Sequence, residues 1–202
     1  MKDLTYRNTW SDYCCYFRQQ GENFAIVLVW VDDLVLFTNS PAESDHIEEE
    51  LKSKFKIKTL GEPSLLLGMK ISWNKELKII TLSQTHYIDK ILEWVRLQDA
   101  NSVATPIDPG INLEFDEEEH NRMIDDRASG TYAKVIGSLM YTAIGTQPDI
   151  AYAVHTLAKF TRSPQPWHWT AIKHVFRYLK GTCIHILTYS GSDEDWKPEL
   201  NM

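Results

Sequence analysis

Cysteine is scarce in this chain, with three in 202 residues. Cys14 and Cys15 are neighbours and Cys183 is far away, so neither a disulfide framework nor a zinc-ligand spacing is present. Long apolar runs are also missing. The longest, Ala25 to Val31, has the length of a strand and falls well short of the roughly 18 residues that span a bilayer. The N-terminal "MKDLTYRNTW" lacks the apolar core of a secretory signal, which points to an intracellular protein with no membrane partner. Internal repeats and low-complexity tracts are absent. So is an excess of positive charge: 21 Lys and Arg stand against 28 Asp and Glu, a net of −7. That balance argues against a dedicated nucleic-acid binder, because phosphate attracts basic surfaces.

What is present is ordinary for a globular protein: 43% apolar and 24% charged residues, in a chain long enough to bury a core. The charge is unevenly spread. Acid concentrates in "ESDHIEEE" (43–50) and "EFDEEE" (114–119), whereas residues 131–182 hold Lys134, Lys159, Arg162, Lys173, Arg177 and Lys180 against Asp149 alone. Such a segment fits either the neighbourhood of a phosphate backbone or the solvated face of a helix.

Periodicity places the elements. "YCCYF" (13–17) and residues 24–31 are rich in aromatic and β-branched residues, and "RQQGEN" between them supplies turn chemistry, which predicts two antiparallel strands. "LVLFT" is a third strand, so Asp32 and Asp33 fall at a tight hairpin without the Gly or Asn of the usual two-residue turns. In "SPAESDHIEEELKSKF", Ser40 is a helix cap, Pro41 suits the first position and Glu43 has capping-box spacing. Ile47, Leu51 and Phe55 form its apolar stripe. "LGEPSLLLGMKISWN" and "KIITLSQ" read as strands joined by "NKEL", and a helix from near Gln84 carries Ile88, Ile91, Leu92 and Val95. Residues 99–129 lack periodicity. Three helices follow: one ends near Gly145, one begins at Pro148, and one follows "SPQP" with Gly181 at its C-cap. "IHILTYSG" begins another strand. The fold class is α+β: a small antiparallel sheet with helices, then a mainly helical segment.

The chemistry concentrates in "AIVLVWVDDLVLFTNS" (25–40). Adjacent carboxylates in a turn are commonly structural. In a strained turn held by rigid apolar strands, both acids can approach one cation. Mg²⁺ takes one or two carboxylates together with water and substrate phosphates, and two such ions about 3.5–4 Å apart clamp the oxygens of a phosphoryl transfer. An ordinary turn and a nucleotidyl-transfer site both remain open on these residues. The absence of the Asp-X-Asp-X-Asp-Gly spacing argues against an unrelated calcium loop. His155, His168 and His174 lie on helices without an i, i+4 metal partner and read as surface or satisfied histidines.

"LVWVDDLVLFTNS" resembles the Tyr-X-Asp-Asp box of reverse transcriptases, in the version of Ty1/copia-type retrotransposons. The resemblance continues in order through "FKIKTLGEPSLLLGMKIS", "ITLSQTHYIDKIL", "ATPID", "YAKVIGSLMYTAIGTQPDIAYAVHTLAKF" and "HWTAIKHVFRYLKGT", covering about residues 13–190. It implies an RNA-directed DNA polymerase, a nucleotidyltransferase that uses two Mg²⁺ ions, with an RNA/DNA primer–template and deoxynucleotides as partners in the intact enzyme. Asp32 and Asp33 match the two acids of the box, with Asp32 the stronger magnesium ligand. Trp30 stands where the family usually has Tyr, beside the primer terminus. Leu67-Gly68-Met69 matches the "FLG" segment that resembles the primer grip; Leu66, or Leu67 in a shifted register, replaces its Phe. Lys56 or Lys58 falls in the region of a lysine that assists pyrophosphate departure, and a solvent-facing lysine is the other reading of each. Lys173, Arg177 and Lys180 then gain a use on a nucleic-acid backbone. "YSGSDEDW" resembles the start of the copia ribonuclease H, where Asp193 matches the first metal-binding acid. The implied organisation is a partial palm over 1–98, a linker or acidic loop over 99–129, a helical thumb/connection segment over 130–182, and a truncated start of the ribonuclease H-like region over 183–202.

The resemblance also implies a third carboxylate, in an upstream "Asp-Val-X-X-Ala-Phe-Leu" strand. Neither Asp3, followed by Leu-Thr-Tyr, nor Asp12, followed by Tyr-Cys-Cys, offers that context. The expectation is that this chain alone does not polymerise and that its palm leaves apolar strand edges uncovered. The alternative is a non-catalytic retroelement relic, acting at most as a nucleic-acid-binding or interaction module.

Overall fold

In a computed structural model the described residues are 6–113 and 126–191, with side chains from 129 onward in the second span. The acidic stretch 114–119, Asp3 and Asp193 lie outside them. The chain divides into two compact units, one ending at Pro63 and one starting at Ser64.

The first unit is a four-stranded antiparallel sheet in the order β1 (Arg7–Asn8), β2 (Cys15–Gln20), β3 (Asn23–Trp30), β4 (Asp33–Thr38), followed by helix α1 (Pro41–Lys54). β2 runs through "RQQ", which the sequence pattern assigned to a turn. The turn needs only Gly21 and Glu22, with Gly21 at φ +63, a conformation that glycine adopts at no steric cost. Alternation then puts Ala25 and Val27 on one face, where they pack with Ile47 and Leu51 of α1 and with Tyr6. Complete burial of Ile47 contributes about 1.5–3 kcal/mol.

Ser40 caps α1 as expected, its hydroxyl accepting from Glu43 N–H at 3.4 Å, with Pro41 in the first turn. The reciprocal half of the capping box is not made. Ser40 N–H donates to Thr38 Oγ1 instead, and the Glu43 carboxylate turns to Arg18. Arg18, 5% exposed, lies on the α1 side of the sheet, where its guanidinium donates to Glu43 (3.0 Å) and Glu50 (2.7 Å) and covers the Tyr6 ring at 4.7 Å. Phe55 does not extend the buried stripe: the helix ends at Lys54, the backbone turns extended, and Phe55 is 46% exposed. β4 is an edge of the sheet, and its Leu34 and Phe37 are each 38% exposed.

The second unit opens with a hairpin of β5 (Leu65–Leu66) and β6 (Met69–Asn74), then β7 (Ile79–Ser83) and α2 (Thr85–Trp94). Helices α3 (Asp126–Gly145), α4 (Ala151–Ala158, entered through a 3-10 turn over Pro148–Ile150) and α5 (Pro166–Thr182) follow, and β8 (Leu187–Ser190) returns to pair antiparallel with β7. One helical core joins Ile88 and Leu92 of α2 to Leu139 of α3, Leu157 of α4 and Val175, Phe176 and Leu179 of α5. Polar ties fasten the end of α5 to the start of α2, where Thr85 Oγ1 donates to Cys183 O (2.8 Å), and to the connection after α3, where Gln147 Nε2 donates to Thr182 O (3.3 Å) and His185 O (3.2 Å). Gly181 is not the C-cap; α5 continues to Thr182, and Ser102 packs 3.0 Å from where a Cβ on Gly181 would stand. The architecture is α+β, with two antiparallel sheets and five α-helices among the described residues. No described helix is long and apolar enough to cross a membrane.

Candidate active site

The β3–β4 register makes Trp30 and Asp33 the closing pair of the hairpin, leaving Val31 and Asp32 as a two-residue loop. Val31 has φ +52, the only positive φ in the loop. That is the φ pattern of a II′ turn, whose first loop position favours glycine. A β-branched residue there costs about 1–2 kcal/mol. At 84% exposure the Val31 side chain recovers almost none of it by burial. The sheet imposes the turn: β3 is paired over residues 23–28 with β2 on one side and over 25–30 with β4 on the other.

Directly opposed residues share a sheet face, so Asp33 and Trp30 project with Val35 and Leu28 on the side away from α1. Asp32 extends from the loop itself. Both carboxylates are exposed, and Trp30 beside them is 61% exposed. The ion pairs among the described residues, Arg18 with Glu43 and Glu50 and Glu48 with Lys52, involve neither aspartate. The described residues also contain no group of three or more His, Cys, Asp or Glu able to hold a metal. The donor set is therefore two hard carboxylates open to solvent. It fits Mg²⁺, which binds through one or two carboxylates and completes its shell with water and phosphate, and it does not fit a closed structural metal centre. Lys56 and Lys58, in the segment after α1, are both exposed.

In the second unit Leu67 and Gly68 form the two-residue loop between β5 and β6, closed by the Leu66–Met69 pair. Both have positive φ, +50 and +76, the pattern of a I′ turn. Leu67 and Gly68 are exposed and Met69 is half-buried. The Tyr141 hydroxyl of α3 donates to Leu67 O, and the Tyr141 ring stands edge-on to Tyr87 of α2, centroids 4.7 Å apart. Tyr141 escaped the sequence reading; its neighbours in "SLMYTAIG" look like plain helix core. Arg18 escaped too, because "RQQGEN" looks like a turn, whereas β2 runs on to Gln20 and sets Arg18 opposite Ala25.

On α5, Lys173 and Lys180 are exposed and Arg177 is half-buried, the i, i+4, i+7 spacing putting all three on one stripe. A strap over 101–105 runs beside it, held by Arg177 Nε donating to Asn101 O (2.7 Å) and His174 Nε2 to Thr105 O (2.9 Å). Asp149, the acid of the basic segment, accepts from the Tyr178 hydroxyl, an interaction that pushes the phenol up to about 12. The helical histidines are satisfied by backbone: His155 Nδ1 lies 3.0 Å from Ala151 O, and buried His168 accepts from Gln165 N–H at Nδ1 (2.9 Å) with Nε2 on Leu113 O (3.2 Å). Burial lowers the His168 pKa.

The reverse transcriptase (RNA-dependent DNA polymerase) family profile matches residues 1–109. The chain is 36% identical over 199 residues to a retrovirus-related Pol polyprotein from transposon TNT 1-94 of Nicotiana tabacum, covering 96% of this chain and 15% of that protein. It is 31% identical to the Pol polyprotein from transposon RE1 of Arabidopsis thaliana, covering 94% and 13%, and 31% identical to a putative transposon Ty5-1 protein of Saccharomyces cerevisiae, covering 88% and 56%. The chain thus spans a small part of the two Pol polyproteins and about half of the yeast protein. No solved structure matches it. With both the Asp-Asp hairpin and these matches in place, the chain belongs to the reverse transcriptase (RNA-dependent DNA polymerase) family, in its Ty1/copia-type retrotransposon branch.

Proposed function

We propose that this chain supplies the Asp-Asp hairpin and the primer-holding turn of a retrotransposon RNA-directed DNA polymerase. The observation that carries the reading is the hairpin itself: two exposed carboxylates, Asp32 on a strained two-residue loop and Asp33 on the strand that closes it, at the end of a paired sheet. On this reading residues 1–98 are part of the palm and 130–182 are the thumb or connection. Magnesium, when bound, would neutralise phosphate charge during nucleotidyl transfer; Asp32 and Asp33 offer the oxygens that hold it. Trp30 would flank the primer end. Lys173, Lys180 and Arg177 would lie along a nucleic-acid backbone, reading charge and not sequence.

Two carboxylates leave the metal site one ligand short of the set that the family resemblance implies. Residues 1–202 by themselves therefore do not extend a primer. Purified chain incubated with Mg²⁺, a primed RNA template and deoxynucleotides tests this directly. Extension by the wild-type chain that disappears in Asp32→Asn would overturn the claim of inactivity while supporting the role of Asp32.

A further inference from the structure

The Leu67–Gly68 turn is an unusual object to find at the end of so short a hairpin. A I′ turn takes Asn or Gly at its first loop position, and here that position is leucine at φ +50. β5, the arm that leads into it, is two residues long. An arm of that length does not impose a strained turn, so the constraint comes from elsewhere. Its source is Tyr141, whose hydroxyl reaches across 74 residues of sequence to donate to Leu67 O. That hydroxyl stands 2.9 Å from the position a Cβ on residue 68 would take. Gly68 is thus required twice, by its φ of +76 and by the phenol packed against it.

Tyr141 is in turn held from two directions. Its ring meets Tyr87 of α2 edge-on at 72°. Its carbonyl accepts from Gln84 Nε2 (3.3 Å), and Gln84, 1% exposed at the start of α2, accepts from Thr146 Oγ1 (2.9 Å) through its own Oε1. Gly145 leaves the space that Gln84 fills, since a Cβ there would lie 2.5 Å from Gln84 Oε1. The junction of α2 and α3 therefore determines where the phenol hydroxyl is, and the hydroxyl determines where the turn is.

We propose that Tyr141 is a positioning residue: by fixing Leu67 O it aims the Leu67–Gly68 peptide so that the Gly68 N–H is presented to a sugar or phosphate oxygen at the end of a primer strand. The peptide is planar and trans, so pinning its carbonyl fixes its N–H on the opposite edge. The inference rests on the reading of this turn as a primer-holding element.

The test uses the whole chain, with Tyr141→Phe, Gly68→Ala and the double variant. Phenylalanine keeps the ring against Tyr87 and removes only the hydroxyl, so a role in packing alone predicts no effect. The proposal expects Tyr141→Phe to melt near the wild-type temperature while amide exchange at residues 66–69 quickens about three- to tenfold, the loss of one hydrogen bond. It expects the same variant to lose, by a similar factor, the wild-type preference for a duplex with a recessed 3′ end over a blunt duplex, measured by fluorescence anisotropy. Gly68→Ala should do the same. The double variant should fall short of the sum, because removing the hydroxyl also removes the clash. Unchanged exchange at the turn in Tyr141→Phe, or simple additivity, overturns the positioning role. Faster exchange in a protein whose wild type binds recessed and blunt duplexes equally overturns the primer-end assignment and leaves Tyr141 a structural tie.

Discussion

Replacing Val31 with glycine is expected to stabilise the chain, although it removes a side chain from an apolar stretch of sequence. Val31 occupies the first loop position of the Asp-Asp hairpin at φ +52, where a Cβ costs about 1–2 kcal/mol. Its side chain is 84% exposed, so deleting it forfeits little burial. Glycine gains unfolded-state entropy, which offsets about 0.5–1 kcal/mol of the relief. The net is a gain of about 0.5–1 kcal/mol. With an m-value of about 2 kcal/mol/M, the urea midpoint rises by about 0.3–0.5 M. Val31→Ala keeps the Cβ and most of the strain, and should hardly move the midpoint. Val31→Pro demands φ near −65° and should lower it. A Val31→Gly midpoint at or below wild type would refute the claim that this loop stores strain.

The Arg18 cluster predicts an asymmetry. Arg18→Met leaves Glu43 and Glu50 facing each other half-buried and should destabilise by about 3 kcal/mol in chemical denaturation, whereas adding Glu43→Leu and Glu50→Leu should restore most of the loss. His168 is held below its ordinary value near 6.5, so its contribution is complete above that pH. As pH falls through 6.5 the unfolded chain takes up the proton first, and stability should decline with a slope of up to about 1.4 kcal/mol per pH unit until the folded histidine also protonates. His168→Gln should flatten that part of the stability–pH curve. Lys173→Gln with Lys180→Gln should weaken duplex binding uniformly across sequences and reduce the slope of log K against log salt by about 1 per lysine; an unchanged slope would remove α5 from the interface.

Local patterns were largely legible in the sequence. The aromatic and β-branched runs "AIVLVWV" and "LVLFT" pointed to β3 and β4 with the aspartates at the hairpin, and Ser40, Pro41 and the Ile88–Leu92 spacing pointed to the start of α1 and the buried face of α2. What escaped depends on contacts between distant residues. Glu43 has perfect capping-box spacing, yet a buried cation 25 residues upstream takes its carboxylate. Gly181 resembles a C-cap, yet it is small because Ser102 approaches it. Phe55 fits the stripe of α1 by period but falls one residue past its end. At the candidate site the aspartates and the Leu67–Gly68 turn could be found from sequence. Tyr141 could not, because a hydroxyl reaching from a helix to a turn leaves no periodic trace.

The most direct test of the central claim, that Asp32 and Asp33 hold the metal for nucleotide addition, is primer extension in a chimera. Residues 1–202 replace the matching segment of the tobacco Pol polyprotein, once the parent has been shown to extend a primed RNA. The chimera is expected to extend the primer with Mg²⁺, and Asp32→Asn to lower the rate by at least about 100-fold, the scale of one lost electrostatic contact in a transition state. An Asp32→Asn chimera as active as its unmutated counterpart would contradict it.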